Sequence, residues 1–260
     1  MTTAQDWAQA LDTARRSRRA IPPLSTTDPT LTVRDAYEIQ QEYASLILDG
    51  AGSVVGYKLG LTSKPMQQML GVDQPDHGPI LSTMVYGDGA RLRVADYIEP
   101  RAEAEIAVML AAPLRGPGVT AQEAATATRG AIAAIEVVDS RIEDWKIRLV
   151  DTIADMASSA AVVLSPHVVA VDGWDPRLCG TVVTRSGETV AMGVGAAALG
   201  GPFAAVAWLA NTLASFDVTL QPGHFVMTGA LHAALPVSSG DEVRAEFDHL
   251  GAVSVVFDGG

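Results

Sequence analysis

Residues 131–138 read Ala-Ile-Ala-Ala-Ile-Glu-Val-Val, an apolar run broken only by Glu136. A strand apolar on both faces is covered on both sides in a folded chain. A lone carboxylate inside it is costly and needs a cation or several hydrogen-bond donors. On position alone, an ion pair with Arg141 or Arg101 accounts for Glu136 at least as well as a functional role does. Upstream, Arg101–Leu110 (RAEAEIAVML) carries Glu103 and Glu105 two residues apart. Residues i and i+2 of a strand share a face, and like charges side by side repel unless something positive lies between them. Taken alone, the pair reads as a solvated strand end. Taken with Glu136, three carboxylates from two strands can converge on one point. An all-oxygen set of that kind suits Mg²⁺ or Mn²⁺ rather than Zn²⁺, which prefers His and Cys.

Outward from these strands, short apolar runs alternate with turn signals from Ile80 onward: 160–164, 181–184, 225–228, 243–247 and 253–257. That is the texture of a β-rich body. Two helices interrupt it. Thr120 and Glu123 form a capping-box pattern, and Gly201-Pro202 opens PFAAVAWLANTLASF with proline at the tolerated first turn. The N-terminal part reads differently. Trp7, Leu11 and Ala14 recur at helical spacing, and Pro22-Pro23 breaks that helix. Thr32 caps a second one with Ala36, Ile39, Tyr43 and Ile47 on one face. Residues 53–60 (SVVGYKLG) read as a strand, Ser63 caps a short helix KPMQQML ended by Gly71, and 72–79 read as loop. The expected class is α+β: an α-rich N-terminal part, 1–75, and a β-rich catalytic body, 76–260.

Composition narrows the function. The chain has 260 residues, a formal net charge of −12 and 48 % hydrophobic residues, which excludes a disordered chain. Its sequence pI near 4.7 argues against nucleic acid, whose phosphates require a basic patch. A single cysteine, Cys179, permits no internal disulfide and suits a reducing cytoplasm. No apolar signal core and no run of about 20 apolar residues is read, so no membrane span is expected. Nucleotide-binding glycine loops and a nucleophile elbow are also missing.

The segments GYKLGLTSK (56–64), GVDQPDHG (71–78), EPRAEAEIAVML (99–110), AIEVVDSRIEDW (134–145), DTIADMASS (151–159) and PGHFVMTGALHAALPVSSGD (222–241) resemble the 2-keto-4-pentenoate hydratase and 2-oxo-3-hexenedioate (4-oxalocrotonate) decarboxylase family. That family lies within the fumarylacetoacetate-hydrolase-like superfamily. The resemblance covers residues 30–258. It implies a mixed β-barrel-like body with flanking helices, a divalent metal (Mg²⁺ or Mn²⁺) and a homo-oligomer built from dimers. It implies Glu103, Glu105 and Glu136 as metal ligands, Lys58 and Asp76 as catalytic groups, and Ser158 and Ser159 near the substrate carboxylate. Without the resemblance, Lys58 reads as an outward-facing strand lysine and Asp76 as a loop aspartate capping a turn. One departure is Met156, where the family pattern has asparagine.

The implied activity is a hydro-lyase of aromatic or steroid ring degradation. It adds water to 2-hydroxypenta-2,4-dienoate, or a longer homologue, to give a 4-hydroxy-2-oxo acid. Ketonisation with a proton delivered at C5 precedes addition of water at C4. Lys58 would offset the negative charge of the carboxylates and substrate, and Asp76 would serve as base toward water or orient Lys58. His77 could shuttle protons or be a surface loop residue. A decarboxylase acting on 2-oxo-3-hexenedioate and a non-catalytic partner subunit of a hydratase–decarboxylase complex are the alternatives.

Overall fold

Thr3 and Thr32 each begin a helix with a reciprocal capping box, to Asp6 and Asp35 respectively. The helices are α1 (Ala4–Ser17) and α3 (Val33–Leu48), with a four-residue α2 (Leu24–Thr27) between them directly after the proline pair. The computed structural model describes residues 2–64, 67–68 and 71–259. The short helix expected over 64–70 falls partly outside those residues. Trp7, Leu11, Ile39 and Tyr43 pack in one apolar cluster with Ile142, Ile153 and Met156, which docks the helical part on the body.

The body holds thirteen strands among the described residues. β1 (Val54–Gly60), β2 (Asp76–Leu81), β3 (Val85–Gly87), β5 (Arg101–Leu110), β6 (Thr128–Val138), β7 (Ser159–Leu164) and β10 (Phe225–Met227) form a mixed sheet in the order β2-β1-β10-β5-β6-β7-β3, with β11 (Leu235–Pro236) added beside β5. β4 (Ala90–Arg93), β8 (Gly180–Arg185), β9 (Glu188–Val194), β12 (Glu242–Phe247) and β13 (Gly251–Asp258) form a second sheet, ordered β4-β13-β12-β8-β9. The large sheet curls into a half-barrel. This is the expected α+β architecture. Three further helices, α4 (Ala121–Thr126), α5 (Leu149–Ala154) and α6 (Pro202–Leu213), flank the sheets.

The reading of 131–138 is explained by where its two faces go. Ala133, Ile135 and Val137 enter the core between the two sheets, with Val163 of β7, Ala245 and Phe247 of β12, and Val255 of β13. Ile132 and Ala134 face the other way, with Ile80, Ala107, Val162 and Met227, on the inside of the curl. Alternation puts Glu136 on that inner face.

Two expectations are corrected. Residues 76–79 are strand, not loop: β2 pairs antiparallel with β1 and is buried along its length. Pro79 is tolerated because β2 is the sheet's edge strand. The stretch Gly195–Phe216, of 22 residues, is long and apolar enough to cross a membrane by composition. Its Ala205, Val206, Leu209 and Leu213 instead pack in a core cluster with Val108, Leu110 and Val226. α5 has little sequence signal, since six residues are too few to show a helical period, and its first turn is held by Asp151. The Asp151 carboxylate accepts from the backbone N–H of Ser25 at 2.8 Å and from its hydroxyl at 2.7 Å.

Candidate active site

β5 and β6 pair antiparallel with Glu103 directly opposite Glu136. Glu105 follows on the same face, so the pleat alone brings the three acids together. One carboxylate oxygen from each lies within 4.8 Å of the others. Glu105 Oε2 accepts the backbone N–H of Gly229 at 2.8 Å. Glu105 Oε1 and Glu136 Oε1 are buried with no hydrogen-bond partner among the described residues, and Glu136 Oε2 has only an ion pair with Lys58. Such orphaned acceptors call for a cation, and an all-oxygen set fits a hard divalent ion.

Lys58 is the ammonium that faces this cluster. It sits on β1, buried, with Nζ 3.2 Å from Glu136 Oε2. It donates a hydrogen bond of 2.8 Å to the carbonyl of Ala157. The cation beside Glu136 is therefore Lys58, neither Arg141 nor Arg101. Burial pulls the lysine's pKa down, but the charges of Glu136, Glu103, Asp76 and Glu105 outweigh it and hold the ammonium above its ordinary range. Burial pushes Glu103 up to about 7, against the opposing pull of Lys58. Burial, then the charges of Glu136 and Glu103, raise Glu105 well above the carboxylate range.

Asp76 opens β2 opposite Gly60. A Cβ at residue 60 would lie 2.2 Å from Asp76 Oδ1, so glycine there makes the room for the carboxylate. Asp76 Oδ2 accepts from the Thr152 hydroxyl at 2.9 Å, while Oδ1 is buried and unpartnered among the described residues. Burial raises the Asp76 pKa, opposed by Lys58 and by the Thr152 hydrogen bond.

Opposite Lys58 lies an unusual backbone. Met156, Ala157 and Ser158 are consecutive non-glycine residues with φ of 56°, 50° and 57°, a strained left-handed run. It delivers the Ala157 carbonyl to Lys58. Close approach is possible because Gly78 faces it: a Cβ there would meet the Met156 carbonyl oxygen at 2.5 Å. The buried Arg141 guanidinium holds the run from behind. It pairs with the Asp155 carboxylate and donates to the carbonyls of Asp155, Asp139 and Ser159. Met156, the departure from the family pattern, turns its side chain into the helical cluster and away from the acids.

A cavity of about 160 Å³ joins Lys58, Asp76, Thr152, Ala157 and Ser158 to Glu103, Arg101, Trp145 and Ile147. Ser158 lines the same cavity as Lys58 and Asp76. Ser159, one residue past the left-handed run, lines a separate cavity with Tyr43, Asp139 and Arg141. His77 is on the opposite face of the sheet from Asp76. Its ring is buried, stacked on Tyr37 at a centroid distance of 4.6 Å, and burial lowers its pKa to about 4. It is neither a surface residue nor a neighbour of Lys58. Thr152, the Ala157 carbonyl and the Arg141–Asp155 pair were missed as site features. Their segments are conspicuous in sequence, but no local pattern there reveals a strained backbone.

A curled mixed sheet with an acid trio on its inner face, Glu105 and Glu136 buried and Glu103 half-buried, defines a class, and the comparison with known proteins agrees. The pattern of the fumarylacetoacetate (FAA) hydrolase C-terminal family matches residues 62–257, and the chain belongs to that family. The 2-keto-4-pentenoate hydratase of Burkholderia vietnamiensis is 43 % identical over 250 residues, covering 96 % of this chain and 95 % of that protein. The 2-hydroxyhexa-2,4-dienoate hydratase of Comamonas testosteroni is 40 % identical over 251 residues, with 96 % and 95 % covered. Among solved structures, the 4-oxalocrotonate decarboxylase of Pseudomonas putida G7, complexed with magnesium and adipate, matches with a TM-score of 0.94. It is 34 % identical, over 98 % of this chain and 97 % of that one.

Proposed function

We propose that the chain is a divalent-metal-dependent hydratase that converts 2-hydroxypenta-2,4-dienoate, or a longer homologue, to a 4-hydroxy-2-oxo acid. The observation that carries this reading is the convergence of Glu103, Glu105 and Glu136 with Lys58 ion-paired to Glu136, while Glu103, Lys58 and Asp76 line one small cavity. The helical N-terminal part and first strand (1–75) supply Lys58, and the β-rich body (76–260) supplies the acids. The three glutamates would hold Mg²⁺ or Mn²⁺, which supplies Lewis acidity toward a 2-oxo acid.

The remaining chemistry falls to the chain's own groups. Lys58 Nζ, kept protonated by the acids around it, stabilises the charge that develops on the substrate's C2 oxygen. The dienol is first ketonised by protonation at C5, giving a 2-oxo-3-enoate with an electrophilic C4. Water then adds at C4 as Asp76 Oδ1, which has a raised proton affinity and no partner among the described residues, takes its proton. Protonation at C3 completes the addition, so one water is consumed and nothing is released. Ser158, at the same cavity, contributes to holding the substrate carboxylate. The same reading makes the enzyme a cytoplasmic homo-oligomer acting on a small molecule.

The high structural similarity to a decarboxylase favours one second reading, decarboxylation of 2-oxo-3-hexenedioate. Incubating the Mg²⁺-loaded protein with each compound separates the two. Hydration is followed as loss of the dienol chromophore with a product one water heavier. Release of CO₂ from the diacid with no hydration of the dienoate refutes the first reading.

A further inference from the structure

Two hydrogen-bond donors at the cavity's edge are used by nothing described above. Arg101 lies two residues before Glu103 on β5, and its side chain therefore emerges on the face of the acid trio. Its guanidinium is fixed from two directions: the terminal nitrogen pairs with Glu99 at 2.8 Å, and the group lies 4.3 Å from the centroid of the Trp145 ring. That leaves Arg101 Nε, buried and without a hydrogen-bond partner among the described residues. Trp145 Nε1 is in the same condition. Both residues line the cavity that holds Lys58, Asp76 and Glu103. Both groups are donors only, and neither can accept. Two buried unsatisfied donors side by side are costly in a folded protein, and an acceptor is the only ligand that relieves both.

The backbone also selects this arrangement. Asp144 and Trp145 have φ of 56° and 53°, an unfavourable conformation for non-glycine residues that persists only where the surroundings impose it. The cavity also holds Val138, Ile147 and Ala234 beside the polar Asp76, Glu103, Thr152 and Ser158. None of these polar groups accepts a hydrogen bond from Arg101 Nε or Trp145 Nε1, so the acceptor they lack is one a ligand can supply.

We infer that Arg101 Nε and Trp145 Nε1 form a clamp for the substrate's C1 carboxylate. This rests on the hydratase reading for one step: a five-carbon dienoate carries no other carboxylate. The clamp would set which end of the molecule lies at the acid trio, leaving C4 directed toward Asp76. Arg101 and Trp145 are thus substrate-orienting residues, and their loss is felt in binding before it is felt in turnover.

The test uses the full-length protein loaded with Mn²⁺ and titrated with pyruvate, a minimal 2-oxo monocarboxylate, by calorimetry. Trp145→Phe keeps the ring over Arg101 and removes one N–H. It is expected to weaken pyruvate about tenfold, the loss of a hydrogen bond to a charged group, with Mn²⁺ affinity unchanged within about threefold. Arg101→Met is expected to weaken pyruvate further, again without loss of Mn²⁺. With the dienoate, KM should rise by a larger factor than kcat falls. Unchanged pyruvate affinity in Trp145→Phe overturns the clamp. So does a parallel loss of Mn²⁺ and pyruvate in Trp145→Phe, which would make the residue a support of the acid trio. A third arm uses 2-oxoadipate: weakening of this diacid alone, with pyruvate untouched, would assign the donors to a distal carboxylate and overturn the C1 assignment. If the wild type fails to hydrate any dienoate yet binds pyruvate in a Trp145-dependent way, the hydratase reading falls and the clamp stands.

Discussion

Replacing Glu103 with glutamine should make the metal-free protein more stable and the metal-loaded protein less so. Glu103 is held at about 7 in the fold against an ordinary 4.5, chiefly by burial. A carboxyl raised in this way binds its proton more tightly in the native state. Its contribution is complete below about 4.5 and is lost as pH rises through 7. Fully expressed, the shift costs about 3 kcal/mol at pH 8.5, and the partial exposure of Glu103 brings this to roughly 1–2 kcal/mol. Glutamine has the shape of the protonated acid and carries no charge. Metal-free Glu103→Gln should therefore melt roughly 2–8 °C above wild type at pH 8.5, and the two should converge near pH 5. Magnesium reverses the order. At a hundredfold excess over its dissociation constant it should stabilise wild type by about 2.7 kcal/mol, or roughly 5–11 °C, and the variant lacks one of the three proposed ligands. Scanning fluorimetry with EDTA or saturating Mg²⁺, at pH 5 and 8.5, reads all four states. A variant no more stable than wild type at pH 8.5 in EDTA, or one that keeps the full magnesium-dependent rise, would refute the reasoning.

Lys58→Met should lower turnover about 10²–10⁴-fold in a spectrophotometric dienoate assay, while the protein still binds Mn²⁺ by calorimetry. Arg141→Met leaves the buried Asp155 carboxylate without its partner and should cost about 3–5 kcal/mol in urea unfolding; a loss under 1 kcal/mol would contradict the assigned pairing. His77 is lowered by burial to about 4 from an ordinary 6.5, so it destabilises the fold progressively as pH falls from 6.5 toward 4. The wild type should lose about 3 kcal/mol over that range relative to His77→Phe, measured by urea unfolding at several pH values.

The parts of this fold that were legible in sequence are those governed by periodicity. The capped helices α1, α3 and α4, the proline-led α6 and most of the central strands follow from alternation and capping, which are local. Glu103, Glu105 and Glu136 were legible for the same reason, since a strand's pleat fixes which side chains share a face. The position of Lys58 opposite Glu136 was not, because it depends on β10 lying between β1 and β5 in the sheet order, a pairing between segments far apart in the chain. The strand at 76–81 was hidden by its proline and glycine, which are acceptable only at an edge. The left-handed residues 156–158 and 144–145 were hidden for a deeper reason. Their strain is offset by contacts from Arg141, Lys58 and Arg101, and no local propensity records a cost met elsewhere.

The register of β5 against β6 has a consequence for how the chain reaches its native state. The inner face of the curl bears Glu103, Glu105 and Glu136, and the face packed on the second sheet bears alanine, isoleucine and valine. A slip of one residue by either strand exchanges its two faces and drives ionised side chains into the densest part of the interior. A register slipped in this way buries unpaired charge and is destabilised accordingly. The acids proposed to hold the cation thus also disfavour a slipped register of β6 on β5, and the native register and an intact site come together.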